Sequence, residues 1–163
     1  MGTVRILGLD PGSITTGYGV IDHCPASRLQ TYVECGVLRA SGSDTAARIV
    51  SLSRDLDELI EEFSPDFASM ERAWAGRYAS AVIRLSEVRG AFTDRLASRG
   101  VPLSEYTPGQ AKKVATGSGR AAKSLVRSRI VTLLHLEREP TLDASDALAL
   151  AVCHAVMGGR RKV

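Results

Sequence analysis

A chain of 163 residues with 44% hydrophobic content has the size and apolar fraction of one ordinary globular domain with a sizeable core. Lys+Arg 21 against Asp+Glu 18 leaves a formal charge of +3, too small a surplus to name a partner, so the placement of the charge has to answer that question. Cys24, Cys35 and Cys153 are odd in number and form no C-x-x-C pair, which argues against a disulfide framework or a zinc knuckle and fits a reducing, cytoplasmic setting. The first residues carry no signal-peptide cleavage pattern, and no apolar run nears membrane-spanning length, so a soluble protein off the membrane is expected.

Residues 4–10, Val-Arg-Ile-Leu-Gly-Leu-Asp, read as a central strand, and Pro11-Gly12 as a turn that leaves the Asp10 carboxylate at the sheet edge. Residues 17–21 and 31–38 read as the next two strands, joined by a polar connection around Pro25, which makes the first three strands antiparallel neighbours. A helix capped at Ser43 or Asp44 carries Ile49, Leu52, Leu56, Leu59, Ile60 and Phe63 at helical spacing and stops at Pro65. Residues 67–71 form a short strand ending in Glu71. A loop with Trp74, Gly76 and Tyr78 then leads into a helix bearing Val82, Ile83, Leu85, Phe92 and Leu96, closed by Gly100. Residues 101–106 read as a fifth strand, and Thr107-Pro108 opens a short helix. After the loop Thr116-Gly117-Ser118-Gly119 come a helix with Leu125, Val126, Ile130 and Leu133 inside and a last helix over residues 143–157. An opening antiparallel meander followed by strand–helix alternation indicates an α/β fold, a five-stranded mixed sheet flanked by helices on both faces. Residues 1–158 read as one domain and 159–163 as a short basic tail.

Against this layout four carboxylates stand out: Asp10 and Glu71 each end a strand, and Asp143 and Asp146, three apart, share a face at the start of the last helix. Acids converging from separate elements suit hard divalent ions, which generate hydroxide and hold the attacking and leaving oxygens in phosphodiester hydrolysis. Each has a plainer reading beside that one. Asp143 and Asp146 fit helix capping, and Asp10 fits the Pro11-Gly12 turn. Glu71 has no such excuse, because glutamate is depleted in strands and neither caps nor turns.

Between Glu105 and Glu137 there is no acid, while Lys112, Lys113, Arg120, Lys123, Arg127 and Arg129 all fall in that window. Phosphate neutralisation and a solvated helix face compete as readings, and the missing acids favour phosphate. Gly117-Ser118-Gly119 lacks P-loop spacing. Trp74 and Tyr78, interleaved with Arg72 and Arg77, suit stacking on bases or wedging between them; packing on the next helix is the alternative for Trp74. His23, His135 and His154 lack ligand spacing, and His154, on the Asp143–Asp146–Leu150 stripe, either supports the acids or packs in the core.

These motifs resemble those of the bacterial RuvC Holliday junction resolvase family. Gly8-Leu9-Asp10-Pro11-Gly12-Ser13 with Thr16-Gly17-Tyr18-Gly19 is similar to its opening motif, Met70-Glu71 to its second acid, and Asp143-Ala144-Ser145-Asp146-Ala147-Leu148-Ala149-Leu150-Ala151 to its D-A-A-D-A-L-A-I-A helix. Gln110-Ala111-Lys112 and the run from Gly117 to Lys123 resemble its V-K and G-x-G-x-A-x-K segments. Ser145 stands where the family has alanine, and Leu85-Ser86-Glu87-Val88-Arg89-Gly90 departs from its G-Q-A-R-G pattern, which touches the dimer contact but not the acids.

The resemblance implies a ribonuclease H-like fold and a homodimer making paired symmetric nicks in a four-way DNA junction, with a branch-migration motor complex as a further partner. It implies two Mg²⁺ per active site, Mn²⁺ substituting, held by Asp10, Glu71, Asp143 and Asp146. Lys112 and Lys123 would lie near the scissile phosphate, and Trp74 at the junction centre where the family has a smaller wedging aromatic; charge placement and the interleaved aromatics put Lys113, Arg120, Arg77 and Tyr78 on the DNA as well. The dimer contact is expected on the second helix, through Val82, Ile83, Leu85 and Phe92. Three rivals stand beside this reading. A related nuclease that trims ribosomal RNA precursors shares the first motif, an actin-like ATPase could use Asp-x-Gly with Thr-Gly-Tyr-Gly but needs two large lobes, and a junction binder without catalysis would have no use for intact acids.

Overall fold

A computed structural model describes residues 2–72 and 79–158; Trp74, Arg77, Tyr78 and the 159–163 tail lie outside the described residues. The elements run β1 (Val4–Asp10), β2 (Thr15–Cys24), β3 (Leu29–Arg39), α1 (Thr45–Phe63), β4 (Phe67–Glu71), α2 (Ala79–Ser98), β5 (Leu103–Tyr106), α3 (Pro108–Thr116), α4 (Lys123–Leu133) and α5 (Leu142–Met157). The five strands form one sheet in the order β3-β2-β1-β4-β5. β1, β2 and β3 pair antiparallel, and β4 joins β1 and β5 in parallel, so the sheet is mixed as expected. Among the described residues no helix is long and apolar enough to cross a membrane.

Period-two alternation divides the central strands between two cores. Leu7, Leu9, Val20, Ala68 and Met70 point to one face, where they meet Leu52, Leu56 and Ile60 of α1 and Val88, Phe92 and Leu96 of α2. Ile6, Ile21 and Phe67 point to the other, against α3, α4 and α5. Gly8 and Asp10, two and four residues beyond Ile6, share that second face, and so do Gly17 and Gly19 behind Ile21 and Glu71 beyond Phe67. Phe92 is fully buried here, which corrects its assignment to a dimer face: its ring fills the gap between α2 and the sheet. Ile83, 59% exposed, remains on the outer side of α2.

Two strands run longer than the sequence suggested. The β2–β3 ladder extends from Thr15↔Arg39 to Cys24↔Leu29 through an irregularity at Val20/Ile21, and Pro25 falls in the connecting turn. β5 begins at Leu103 because Pro102 has no N–H to give the ladder. The helix starts follow capping chemistry. Asp44 rather than Ser43 caps α1, accepting from the Ala47 N–H at 2.8 Å. Thr107 and Gln110 form a reciprocal capping box ahead of α3, with Pro108 at the first turn. The α5 cap is Thr141, whose Oγ1 accepts from the Ala144 N–H at 3.2 Å, so the first acid of that helix is not occupied in capping.

α5 is buried on nearly every side from Ala144 to Ala155, Asp146 being the break in an otherwise apolar run. Its close seat on the sheet depends on glycines. A Cβ on Gly8 would run into the Ala147 carbonyl oxygen, one on Gly17 into the Asp143 carbonyl, and one on Gly19 would sit 2.7 Å from Leu148 Cδ2. Gly8→Ala should therefore destabilise the protein by about 3 kcal/mol, since the obstacle is backbone and cannot swing aside; chemical denaturation checks this, and a near-neutral result would mean that α5 slides freely. Ser145 makes the opposite case. Its Oγ is buried with no hydrogen-bond partner among the described residues, so Ser145→Ala should raise stability by roughly 1 kcal/mol in the same measurement.

Candidate active site

Strand pairing brings the four acids to one end of the sheet. β1 and β4 run parallel with Leu9 opposite Met70, so the next residues, Asp10 and Glu71, leave adjacent strand ends at the same level and on the α5 face. On the other side of β1, Asp10 pairs with Gly17, and the Asp143 carbonyl rests over Gly17. The first turn of α5 thus crosses beside Asp10. Thr15, on the same face of β2, donates from Oγ1 to Asp143 Oδ2 at 3.3 Å. Asp146, one turn along, accepts from Lys123 Nζ at 2.6 Å, which ties α4 to α5 across the cluster.

The electrostatics follow from four carboxylates crowded into a partly dry corner. Burial first, and then the charges of Asp146 and Glu71, push the Asp10 carboxyl up to about 7. Glu71 is raised by burial and by Asp146, against which Lys123, Arg89 and Lys112 act in the other direction. Lys123 is held more firmly protonated by its hydrogen bond to Asp146. Like charge of this density is relieved by protonation or by compensating cations, and carboxylate oxygens are the donors that hard divalent ions prefer. The donor set therefore fits such ions. In the conformation described, no three acid, histidine or cysteine side chains among the described residues already close on a single point as a metal cage, and Asp146 is engaged by Lys123.

The remaining expectations sort by contact. Lys112 is half-buried and within electrostatic reach of Glu71, while Lys113 and Arg120 are exposed on the same acid-free stretch. Arg127, one turn from Lys123, is paired with the exposed Glu139 at 3.0 Å rather than left free for phosphate. His154 is a core residue: it lies about two turns beyond Asp146, its Nδ1 is 2.9 Å from the Tyr106 hydroxyl and its ring is 5.2 Å from that of Phe67. Sequence reasoning missed Thr15, which orients Asp143, and Arg89, which donates to the Glu71 carbonyl. A threonine in a strand and an arginine in a helix carry no signal that would have found them. A cavity of about 640 Å³ between β3 and residues 134–140 contains none of these acids.

A mixed five-stranded sheet whose central strand ends meet an acid-bearing helix is the architecture of the ribonuclease H-like class. The family model described as crossover junction endodeoxyribonuclease RuvC matches residues 6–154, and the chain belongs to that family. Among curated relatives, the crossover junction endodeoxyribonuclease RuvC of Shewanella piezotolerans is 40% identical over 95% of this chain and 92% of its own length. That of Paraburkholderia phymatum is 38% identical over 96% and 86%. Among solved structures, Thermus thermophilus RuvC superposes with a TM-score of 0.84 at 25% identity, covering 95% of each chain. The T. thermophilus protein in complex with a Holliday junction substrate gives 0.87 at the same identity, covering 95% of this chain and 94% of that one.

The raised Asp10 makes metal-free stability depend on pH. Below about pH 4 the carboxyl is protonated in folded and unfolded chains alike and costs nothing; as pH climbs from there to 7 the unfolded chain ionises first, and the penalty on the fold grows to its full value above 7. Asp10→Asn removes it. The metal-free variant should gain on the order of 2 kcal/mol at pH 8 and almost nothing at pH 4, read as Tm by calorimetry in chelator. An equal gain at both pH values would show that ionisation of this buried, crowded carboxyl is not its source.

Proposed function

We propose that this protein resolves four-way DNA junctions by paired symmetric nicks, acting as a homodimer with a divalent-metal centre in each copy, Mg²⁺ being the working ion and Mn²⁺ its substitute. The observation that carries this reading is the convergence of Asp10, Glu71, Asp143 and Asp146 from two strand ends and one helix, in a chain of this family. The relative solved on a Holliday junction supplies the substrate class, and with it the preference over ribosomal RNA trimming.

Divalent ions at these carboxylates would activate water and offset the charge that develops on the phosphate. The chain's residues do the rest. Asp10, between Glu71 on one strand and Asp143 and Asp146 on the helix, would hold the ions together with those three acids, with the Thr15 hydroxyl orienting Asp143. Lys112 and Lys123 stand at the rim, where a scissile phosphate would meet their charge, and Lys113 and Arg120 extend the basic track outward. Lys123 reaches phosphate only by sharing or leaving Asp146. Trp74, between β4 and α2 in the sequence, is the proposed contact at the junction centre, with Arg77 and Tyr78 as further proposed DNA contacts. The outer side of α2, with Ile83 exposed and Val82 and Leu85 half-buried, is the proposed contact with the second copy, because two opposed strands need two sites related by a two-fold axis. A branch-migration motor complex is the further partner in this reading.

Glu71→Gln and Asp146→Asn should each cut a four-way junction at least about a hundredfold more slowly while binding it in Ca²⁺ as before, because removing a metal ligand leaves the phosphate contacts in place. Robust cutting by Glu71→Gln in a gel assay, or equal cleavage of structured RNA, would sink the assignment. Lys112→Ala should lower the slope of log affinity against log salt by about one unit for every junction sequence alike. An altered sequence preference with an unchanged slope would remove Lys112 from the phosphate track. Ile83→Glu should give monomers in sedimentation at micromolar protein that no longer make paired nicks; an intact dimer would place the contact elsewhere.

A further inference from the structure

Arg89 belongs to α2, on the opposite face of the sheet from the acid cluster, and is only 8% exposed. A guanidinium cannot shed its charge, so a buried one is explained by its acceptors. One terminal nitrogen donates to the main-chain carbonyl of Glu71 and the other to the Glu105 carboxylate. Glu105 stands opposite Met70 in the β4–β5 ladder, and its side chain points to the α2 face while that of Tyr106 points to the other. The Arg72 N–H donates to the Tyr106 carbonyl, so the chain on either side of the Glu71 carbonyl is fixed to β5 and to α2 at once. The side chain of Glu71 rises to the acid cluster, and its backbone is gripped from beneath.

We propose that Arg89 is the positioning residue for Glu71: by forking between the Glu71 carbonyl and Glu105 it locks the end of β4 so that the Glu71 carboxylate stands at a fixed place for a divalent ion. This rests on the active-site reading above. Stability alone does not require the arginine. α2 is already anchored by Val88, Phe92 and Leu96 in the core, by the Arg95–Asp57 ion pair to α1 and, just past its end, by Arg99–Glu61, and an ion pair whose carboxylate is exposed adds little to stability. What the fork adds is register between a helix and two strand ends, which a point charge such as lysine reproduces only in part.

The test uses the whole chain, with Mn²⁺ binding measured by titration calorimetry without DNA and junction cutting measured separately. Arg89→Met alone changes the net charge and leaves the exposed Glu105 without its partner, so the decisive variant is Arg89→Met combined with Glu105→Gln, which removes both charges together. Its Tm should stay close to that of the parent protein and its junction affinity in Ca²⁺ unchanged. Mn²⁺ should bind about tenfold more weakly and kcat should fall roughly 10–100-fold with KM unaltered, as loss of groups that hold a metal ligand generally produces. Arg89→Lys should recover part of both losses. Parent-like Mn²⁺ affinity and kcat in the double variant would overturn the proposal, leaving Arg89 as the counter-ion of Glu105 and nothing more. Glu71→Gln separates the two levels: if it too binds Mn²⁺ and cuts normally, the active-site reading fails, whereas an inactive Glu71→Gln beside an active double variant removes Arg89 alone.

Discussion

Everything at the acid-bearing end of this molecule depends on how closely α5 lies on β1 and β2. The approach is backbone to backbone: Gly8, Gly17 and Gly19 leave a side-chain-free stripe on one face of the sheet, and the Ala-rich helix sinks into it. The small residues on both surfaces are one device split between distant parts of the sequence. Were α5 held off by a single methyl group, the Asp143 carbonyl would lift from Gly17 and the first turn of the helix would move away from Asp10. The three glycines give up β propensity and packing area. What they gain is the fixed distance between two strand ends and a helix, which is a matter of register rather than stability.

That distance creates an electrostatic problem of its own. Four carboxylates in a half-buried corner repel one another, and the structure answers with cations from three directions: Lys123 across the top from α4, Lys112 at the rim from α3, and Arg89 underneath from α2. The answer is incomplete: burial first, and then the charges of Asp146 and Glu71, still push Asp10 upward. A fold built for stability alone would have replaced one or two of these acids. A fold that must accommodate further positive charge keeps them all and accepts the strain.

Much of this was legible in the sequence because it is written in local chemistry. The strand ending at Asp10 and the strand ending at Glu71 show themselves through apolar runs closed by an acid, and the Thr107-Pro108 start through capping rules that hold in any context. The α5 acids were harder to read. Aspartates three apart at a helix start look like caps, and only the structure shows Thr141 doing that work. Arg127 and Phe92 mark the opposite limit. Spacing placed the first beside Lys123 and the second on an open face, but Glu139, twelve positions on, claims one and the sheet claims the other. Nor could Arg89 be read, since an arginine in an amphipathic helix looks solvated until the strands it reaches are in place.

The linear order of the acids has a consequence for folding. Glu71 is joined to Asp10 by a parallel pairing that needs a crossover through α1, and Asp143 and Asp146 reach the same point only from the last described helix. Contacts spanning most of the chain cost the most loop entropy to close and form late. A molecule whose α5 has come undocked, or whose chain has been made only as far as α4, holds two of the four acids and not the other two. A partly folded or partly made copy is therefore short of ligands rather than indiscriminate. For a protein built around cutting DNA, that ties the appearance of the complete acid set to completion of the fold.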